Sequence, residues 1–273
     1  MGEEARSVTA KVLALLDAFT PATPDLSLSE LARRAGVSLP TAHRRVAELV
    51  EWGALERGAD GRYRVGLRLW EVASLAPRGL GLRDVAMPFL EDLYEVTHEN
   101  VQLAVREGLE LVFVERIAGR QAVPVRTRVG GRFALHATGV GLVLLAHAPA
   151  DVQEQALAAP LRSYTSKTMT APDRLREVLA AVRRNGYAVS DGQVTLDALS
   201  VAAPIRGHGD EVVAAVSIVV RAGTAEPMTL VPLVQAAGRG ISRMLPSRDG
   251  RAGSGGGSGN ARRGEPGGPP GSG

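Results

Sequence analysis

Cysteine is absent from the 273 residues, which excludes disulfides, thiolate metal sites and cysteine nucleophiles whatever the fold. No window approaches the roughly 18–20 unbroken apolar residues of a membrane span. The N-terminal stretch 1–19 carries charge throughout, where a secretory signal would hold an apolar core, so the expected compartment is the cytoplasm, with no membrane partner. Lysine occurs only at Lys11 and Lys167, and arginine supplies nearly all the positive charge behind the net +3. So small an excess is weak testimony for a nucleic-acid partner, and placement has to decide. No segment repeats itself at a period of about 20–50 residues, which argues against solenoids and propellers. There is no metal-ligand spacing, no G-x-S-x-G elbow and no phosphate loop, so no metal, cofactor or catalytic residue is assigned. An enzyme is the reading from another class, supported only by His98, His136, His147 and scattered carboxylates.

What is present is an ordinary globular composition, 45% apolar and 22% charged, in a chain long enough for two cores. The expected organisation is a first domain over 1–66, a linker helix and connection over 67–81, a second domain over 82–246, and a tail over 247–273. From Arg251 that tail is Gly, Ser, Pro and Arg with almost no apolar residue, a composition expected to stay disordered.

Three short helical patterns open the chain, at 8–19, 28–35 and 39–52. In the first, Val8, Val12, Leu15, Leu16 and Phe19 share a face. The second begins with Ser27 and Glu30 in capping-box spacing and stops at Gly36, where a left-handed cap costs least. The third follows a tight turn, with Ser38 as expected N-cap and Pro40 tolerated in the first turn. Segments 55–57 and 62–65 then alternate as a hairpin around Asp60-Gly61. Helix, turn, helix and charged hairpin within one small unit form a winged helix-turn-helix.

On the third helix Leu39, Ala42, Val46, Leu49 and Val50 gather on one side, while Thr41, Arg44 and Glu48 face the other. Thr41 and Arg44 are placed to read base edges in a major groove, Arg by bidentate bonding to guanine. His43 and Arg45 flank them for backbone contacts, and Ser38 and Pro40 open the same face. Arg57, Arg62 and Arg64 on the wing add charge for phosphate or minor groove. Farther on, a helix is expected at 82–96, strands at 101–106, 109–117 and 123–129, helices at 137–147, 151–157 and 173–185, strands at 187–190, 199–205 and 212–220, and a closing helix at 229–244. Mixed elements without strict βαβ alternation point to an α+β domain around a mainly antiparallel sheet. Gly139-Val140-Gly141 near a helix start offers unpaired N–H groups to a carboxylate.

Leu28-Ser29-Glu30-Leu31-Ala32, Gly36-Val37, Thr41-Ala42-His43-Arg44 and Gly61-Arg62-Tyr63-Arg64-Val65-Gly66 resemble the DNA-binding domain of IclR-type regulators. Arg128-Val129-Gly130, Leu135-His136-Ala137-Thr138-Gly139-Val140-Gly141, Gly186-Tyr187-Ala188-Val189 and Val201-Ala202-Ala203-Pro204-Ile205 resemble that family's effector domain, in order and at the expected spacing. The resemblance implies a GAF-like effector domain and double-stranded operator DNA as partner, with a small organic acid or aromatic compound as effector. It also implies homodimers or homotetramers and repression as the default, with dual activator/repressor action or a constitutive DNA binder as alternatives. Carried over by position, the effector site holds Gly139, Val140, Ser190, Ala198, Ser200, Ser217 and Val219, with Asp191 at the strand end. The chain departs from the family at Leu39 and Pro40, often polar or basic, at Gly192 and Gln193, where acidic residues are common, and at Asp197 and Ser200, often Gly and Cys. Ala198 and Val219 make the expected pocket more apolar than the family's.

Overall fold

The computed structural model describes residues 6–76 and 81–245. The 247–273 tail, and Pro77 and Gly79 of the expected connection, lie outside the described residues. The chain divides into two compact units, Met1–Asp84 and Val85–Gly273.

The first unit is built from α1 (Val8–Asp17), α2 (Leu28–Ala35), α3 (Leu39–Trp52), β1 (Leu55–Arg57), β2 (Tyr63–Val65) and α4 (Leu67–Ala73). Leu15, Leu26, Leu31, Ala42, Val46, Leu55 and Tyr63 form its core. The start of α2 is fixed as the Ser27 and Glu30 spacing predicts: the Ser27 hydroxyl accepts from the Glu30 N–H at 3.3 Å, and the Glu30 carboxylate accepts from the Ser27 N–H at 2.8 Å. That backbone bond, with the Ser27 hydroxyl, holds the Glu30 carboxyl below its ordinary range. Gly36 ends α2 at φ 64° and Gly53 ends α3 at φ 85°, both left-handed positions that favour glycine. Strands β1 and β2 pair antiparallel with Leu55 opposite Val65, and Tyr63 also bridges Leu26, so the wing is stitched to the segment entering α2. Replacing Ser27 by Ala removes one half of the box and should cost this unit about 1 kcal/mol. Urea unfolding followed by helical circular dichroism checks it.

Two sequence expectations need correction in this unit. Helix α1 stops at Asp17, before Phe19, because Thr20 and Thr23 bridge one another and turn the chain. Val8, expected on the buried face, is exposed. Helix α4 ends three residues before Ala76, and none of its residues is buried.

The second unit carries one six-stranded sheet in the order β5-β4-β3-β8-β7-β6, antiparallel throughout. Its strands are β3 (Asn100–Glu107), β4 (Glu110–Ile117), β5 (Arg132–Ala134), β6 (Ala188–Asp191), β7 (Ala198–Arg206) and β8 (Val212–Arg221). Helices α5 (Leu82–Thr97), α6 (Gly139–Ala146), α7 (Ala150–Ala158), α8 (Pro172–Asn185) and α9 (Pro227–Met244) complete it. Helix α6 lies on β3, β6, β7 and β8, and α9 lies on β7 and β8. With both faces covered, β8 reads as a nearly unbroken apolar run instead of alternating. Every residue of α6 is buried. A 3-10 turn, Leu135–Ala137, takes up the beginning of the expected 137–147 helix, and the Thr138 hydroxyl caps α6 by accepting from the Gly141 N–H at 3.0 Å.

The strand expected at 123–129 is not one. The segment alternates, with Val123 and Thr127 buried and Pro124, Arg126 and Arg128 exposed, but it joins no ladder. Alternation fixes which side chains face inward; a ladder also needs a free edge and backbone donors, and Pro124 has none to give. The place beside β4 goes to β5, where Glu110 pairs with Ala134.

Candidate DNA interface and ligand recess

In the first unit the N-terminal turn of α3 presents Ser38, Pro40, His43 and Arg44 to solvent, with Thr41 half-buried among them. Ser38 stands at the cap position, but its hydroxyl donates to the Thr41 hydroxyl at 2.9 Å and makes no side-chain bond to the helix backbone. Pro40, within the first turn, has no N–H to leave unpaired. The arginines divide by what already holds them. Arg45 is half-buried and bonds both Glu48 oxygens, at 2.6 and 2.8 Å, a contact that lowers the Glu48 carboxyl pKa. Arg62 donates to the Glu30 carboxylate at 2.9 Å and to the Asp25 carbonyl at 3.0 Å, bracing the wing against α2. Arg64 pairs with Glu56 at 3.0 Å, and Arg57 lies over the Tyr63 ring, 5.7 Å from its centroid. Arg44 is exposed and makes no hydrogen bond or ion pair among the described residues. Its guanidinium is therefore available without breaking an existing contact.

In the second unit a recess opens over the sheet beside the start of α6. Six of the residues expected at the effector site line it: Gly139, Val140, Ser190, Ala198, Ser200 and Val219. The sheet register explains the grouping. Ser190 pairs with Ser200 and Ser200 with Val219, so three adjacent strands place these side chains in one row. Gly139 sits directly above the row, and a Cβ there would meet the Ser200 Oγ at 2.8 Å.

Asp191 and Ser217 do not line the recess. Asp191 is exposed and pairs with Lys167 at 3.1 Å, because successive strand residues point to opposite faces and Ser190 takes the inward one. Ser217 lies in register between Gln102 and Ala202, fully buried, and its hydroxyl has no hydrogen-bond partner among the described residues.

Sequence reading missed the remaining wall. Gln102 and Phe113 enter from β3 and β4, Val125 and Thr127 from the 123–129 segment, and Gln193, Val194 and Thr195 from the turn after β6. One cue was available: Gln102 interrupts the apolar run Val101-Leu103-Ala104-Val105 in a strand covered on both faces. Among the described residues, none of the lining side chains is ionisable.

Near the recess His136 is buried, and its Nε2–H donates to the Arg162 carbonyl at 3.0 Å; His147 donates from Nδ1 to the Val143 carbonyl at 2.9 Å. Burial pushes both imidazoles below the ordinary 6.5, against the smaller opposing effect of those hydrogen bonds. As pH falls below 6.5 the unfolded chain takes up protons first, so stability is lost from there down toward the folded-state values and is unchanged above. The midpoint of unfolding in urea should therefore fall between pH 6.5 and 5. A His136→Asn, His147→Asn double variant should flatten that slope.

Comparison with known proteins supplies relatives for both units. Residues 8–59 match the IclR helix-turn-helix domain, and residues 76–243 match the bacterial transcriptional regulator IclR C-terminal domain. The HTH-type transcriptional regulator KipR of Bacillus subtilis is 35% identical over 209 residues, 76% of this chain and 83% of that one. The transcriptional repressor IclR of Escherichia coli is 28% identical over 210 residues, 76% and 77% of the two chains. Among solved structures, an IclR homolog from Microbacterium hydrocarbonoxydans, complexed with 4-hydroxybenzoate, is 40% identical with a TM-score of 0.84, covering 88% of this chain and 99% of its own. The Thermotoga maritima IclR structure is 30% identical with a TM-score of 0.72, covering 87% and 98%.

Proposed function

The chain belongs to the IclR family of transcriptional regulators, and from that premise we propose that it is a repressor whose operator affinity is set by a small aromatic acid bound in the recess beside α6. One observation carries the ligand class: the recess occurs in a chain 40% identical to a homolog complexed with 4-hydroxybenzoate. Neutral, mostly small side chains wall it, Phe113 offers an aromatic face, and the α6 N-terminus supplies backbone N–H groups and the positive end of a helix dipole for a carboxylate. Ser217 lies in the neighbouring row, between Gln102 and Ala202, and does not line the recess.

Operator recognition falls to α3 and the wing, with Thr41 and Arg44 on base edges and Ser38, Pro40, His43, Arg45, Arg57, Arg62 and Arg64 around the phosphates. Dimers form through the N-terminal unit and its connecting helix. Support comes from α4, where Leu67 is 65% and Trp70 60% exposed, more apolar surface than a solitary helix leaves in water. Ligand acts by binding the DNA-competent and incompetent arrangements with unequal affinity.

Fluorescence anisotropy of the purified protein on DNA upstream of its own and neighbouring genes, at fixed salt, tests this. Saturable selective binding weakened by 4-hydroxybenzoate is the expected result. Selective binding that no aromatic acid alters would leave a constitutive DNA binder, and binding no better than to random DNA would overturn the reading.

A further inference from the structure

We infer that Gln102 and Thr127 determine specificity in the recess by selecting a ligand that carries a neutral hydroxyl group. The inference rests on the reading of the recess as an effector site and goes beyond it by assigning what the far wall recognises. Both residues are buried, both line the recess, and the Gln102 Nε2 donates to the Thr127 Oγ1 at 2.6 Å. That bond consumes one donor and one lone pair. Among the described residues that is the one hydrogen bond either side chain makes, which leaves the Gln102 Oε1 and the Thr127 hydroxyl proton without a protein partner. Toward the cavity the pair therefore keeps the amide oxygen as an acceptor and the Thr127 hydroxyl as a donor side by side, with the second Gln102 N–H next to them. A ligand hydroxyl both donates and accepts, so it completes both; a carboxylate only accepts, and a methyl or hydrogen does neither. Exchanging the amide oxygen and nitrogen would reverse the two roles, and a hydroxyl would satisfy that arrangement as well.

Position within the sheet supports the assignment. Gln102 is on β3 and Ser190 on β6, three strand intervals apart, roughly 14 Å between backbones. Two polar side chains with a single-ring or similarly short ligand between them fit that span. An acid group at the α6 N-terminus then leaves the opposite end of the molecule against Gln102 and Thr127. Thr127 also belongs to the unladdered segment lying over the sheet, which is tied down a second time where the Asn100 Nδ2 donates to the Val123 carbonyl at 2.9 Å. The hydroxyl is thus read at one of the two side-chain hydrogen bonds that tie this segment to β3 among the described residues.

Isothermal titration calorimetry of the full chain with 4-hydroxybenzoate, benzoate and 4-methylbenzoate tests the inference, alongside an ω-hydroxy alkanoate and its matching alkanoate. The wild-type protein should prefer the hydroxylated member of each pair by about tenfold or more, because a ligand lacking it leaves buried donors and acceptors unpaired. Gln102→Leu and Thr127→Val should bring the preference close to unity, and Thr127→Ser should restore it. Hydrogen exchange without ligand serves as the independent readout: segment 121–129 should lose protection in Thr127→Val and keep it in Thr127→Ser, while α6 and the strands stay protected. Equal wild-type affinity within the pairs, or a preference surviving in both folded variants, would overturn the assignment. If the aliphatic pair shows the hydroxyl preference and the aromatic acids fail to bind, the hydroxyl reading stands and the aromatic class falls. Binding of none of the five overturns both.

Discussion

Gly141→Ala is expected to destabilise the second unit by about 3 kcal/mol or more, the range reached when a packed interior is overfilled against rigid groups. Helix propensity alone gives the opposite sign, since Ala is favoured over Gly inside a helix by roughly 1 kcal/mol. Sterics decide, because the added Cβ would be driven into the Leu135 carbonyl oxygen while lying 2.7 Å from the Thr138 Oγ1 and 2.8 Å from the Leu135 carbonyl carbon. Backbone of the 3-10 turn cannot rotate away as a side chain can. Relief requires parting α6 from that turn, which breaks the Thr138 cap and shifts the recess wall together. Gly139→Ala is the instructive contrast: its Cβ meets the Ser200 Oγ at 2.8 Å, the tip of a small side chain able to change rotamer, and the Ser200 and Ala202 Cβ atoms at 3.3 and 3.4 Å, contacts that a shift of a few tenths of an ångström relieves. That variant should fold nearly as well as wild type and lose ligand affinity. Urea denaturation with ligand titration separates the two.

Arg44→Ala should weaken binding to the cognate operator by about 1–3 kcal/mol, some 5- to 150-fold, and relax specificity at one base position. Arg44 is exposed on the outward face of α3 and makes no hydrogen bond or ion pair among the described residues, feeling Glu48 only at longer range, so its removal leaves the fold unchanged. Arg57→Ala on the wing should instead weaken every DNA sequence alike and lower the salt-dependence slope by about one. Arg62→Ala differs from both. Its guanidinium braces Glu30 and the Asp25 carbonyl, so a loss of affinity there comes with a loss of stability in the N-terminal unit. Competition against single-base operator variants at two salt concentrations resolves the three patterns.

Features written in adjacent residues could be read from the sequence, and features made by distant ones could not. The start of α2, its end at Gly36 and the wing at Gly61 depend on local spacing and on backbone conformations that favour glycine. The row of Ser190, Ser200 and Val219 followed from resemblance, and the register explains why it holds. Asp191 failed as a recess residue because strand alternation turns it outward, where it meets Lys167, 24 positions earlier, and Arg62 meets Glu30 across 32 positions. Segment 123–129 shows the limit of periodicity: it reports sidedness, and only the neighbouring strands determine pairing. Gln102 and Thr127, 25 positions apart, form their contact through that same unpaired segment.

The absence of any ionisable side chain from the recess wall has a practical consequence for the two equilibria of this protein. Dissolved salt acts steeply on a contact made by arginines on phosphate, where each neutralised phosphate contributes a slope of about −0.9 in log affinity against log salt. It acts little on a molecule enclosed by amides, hydroxyls and hydrocarbon, where mobile counterions do not enter. Raising ionic strength should therefore empty the operator while the ligand stays bound, so ligand binding can be titrated with DNA binding silenced.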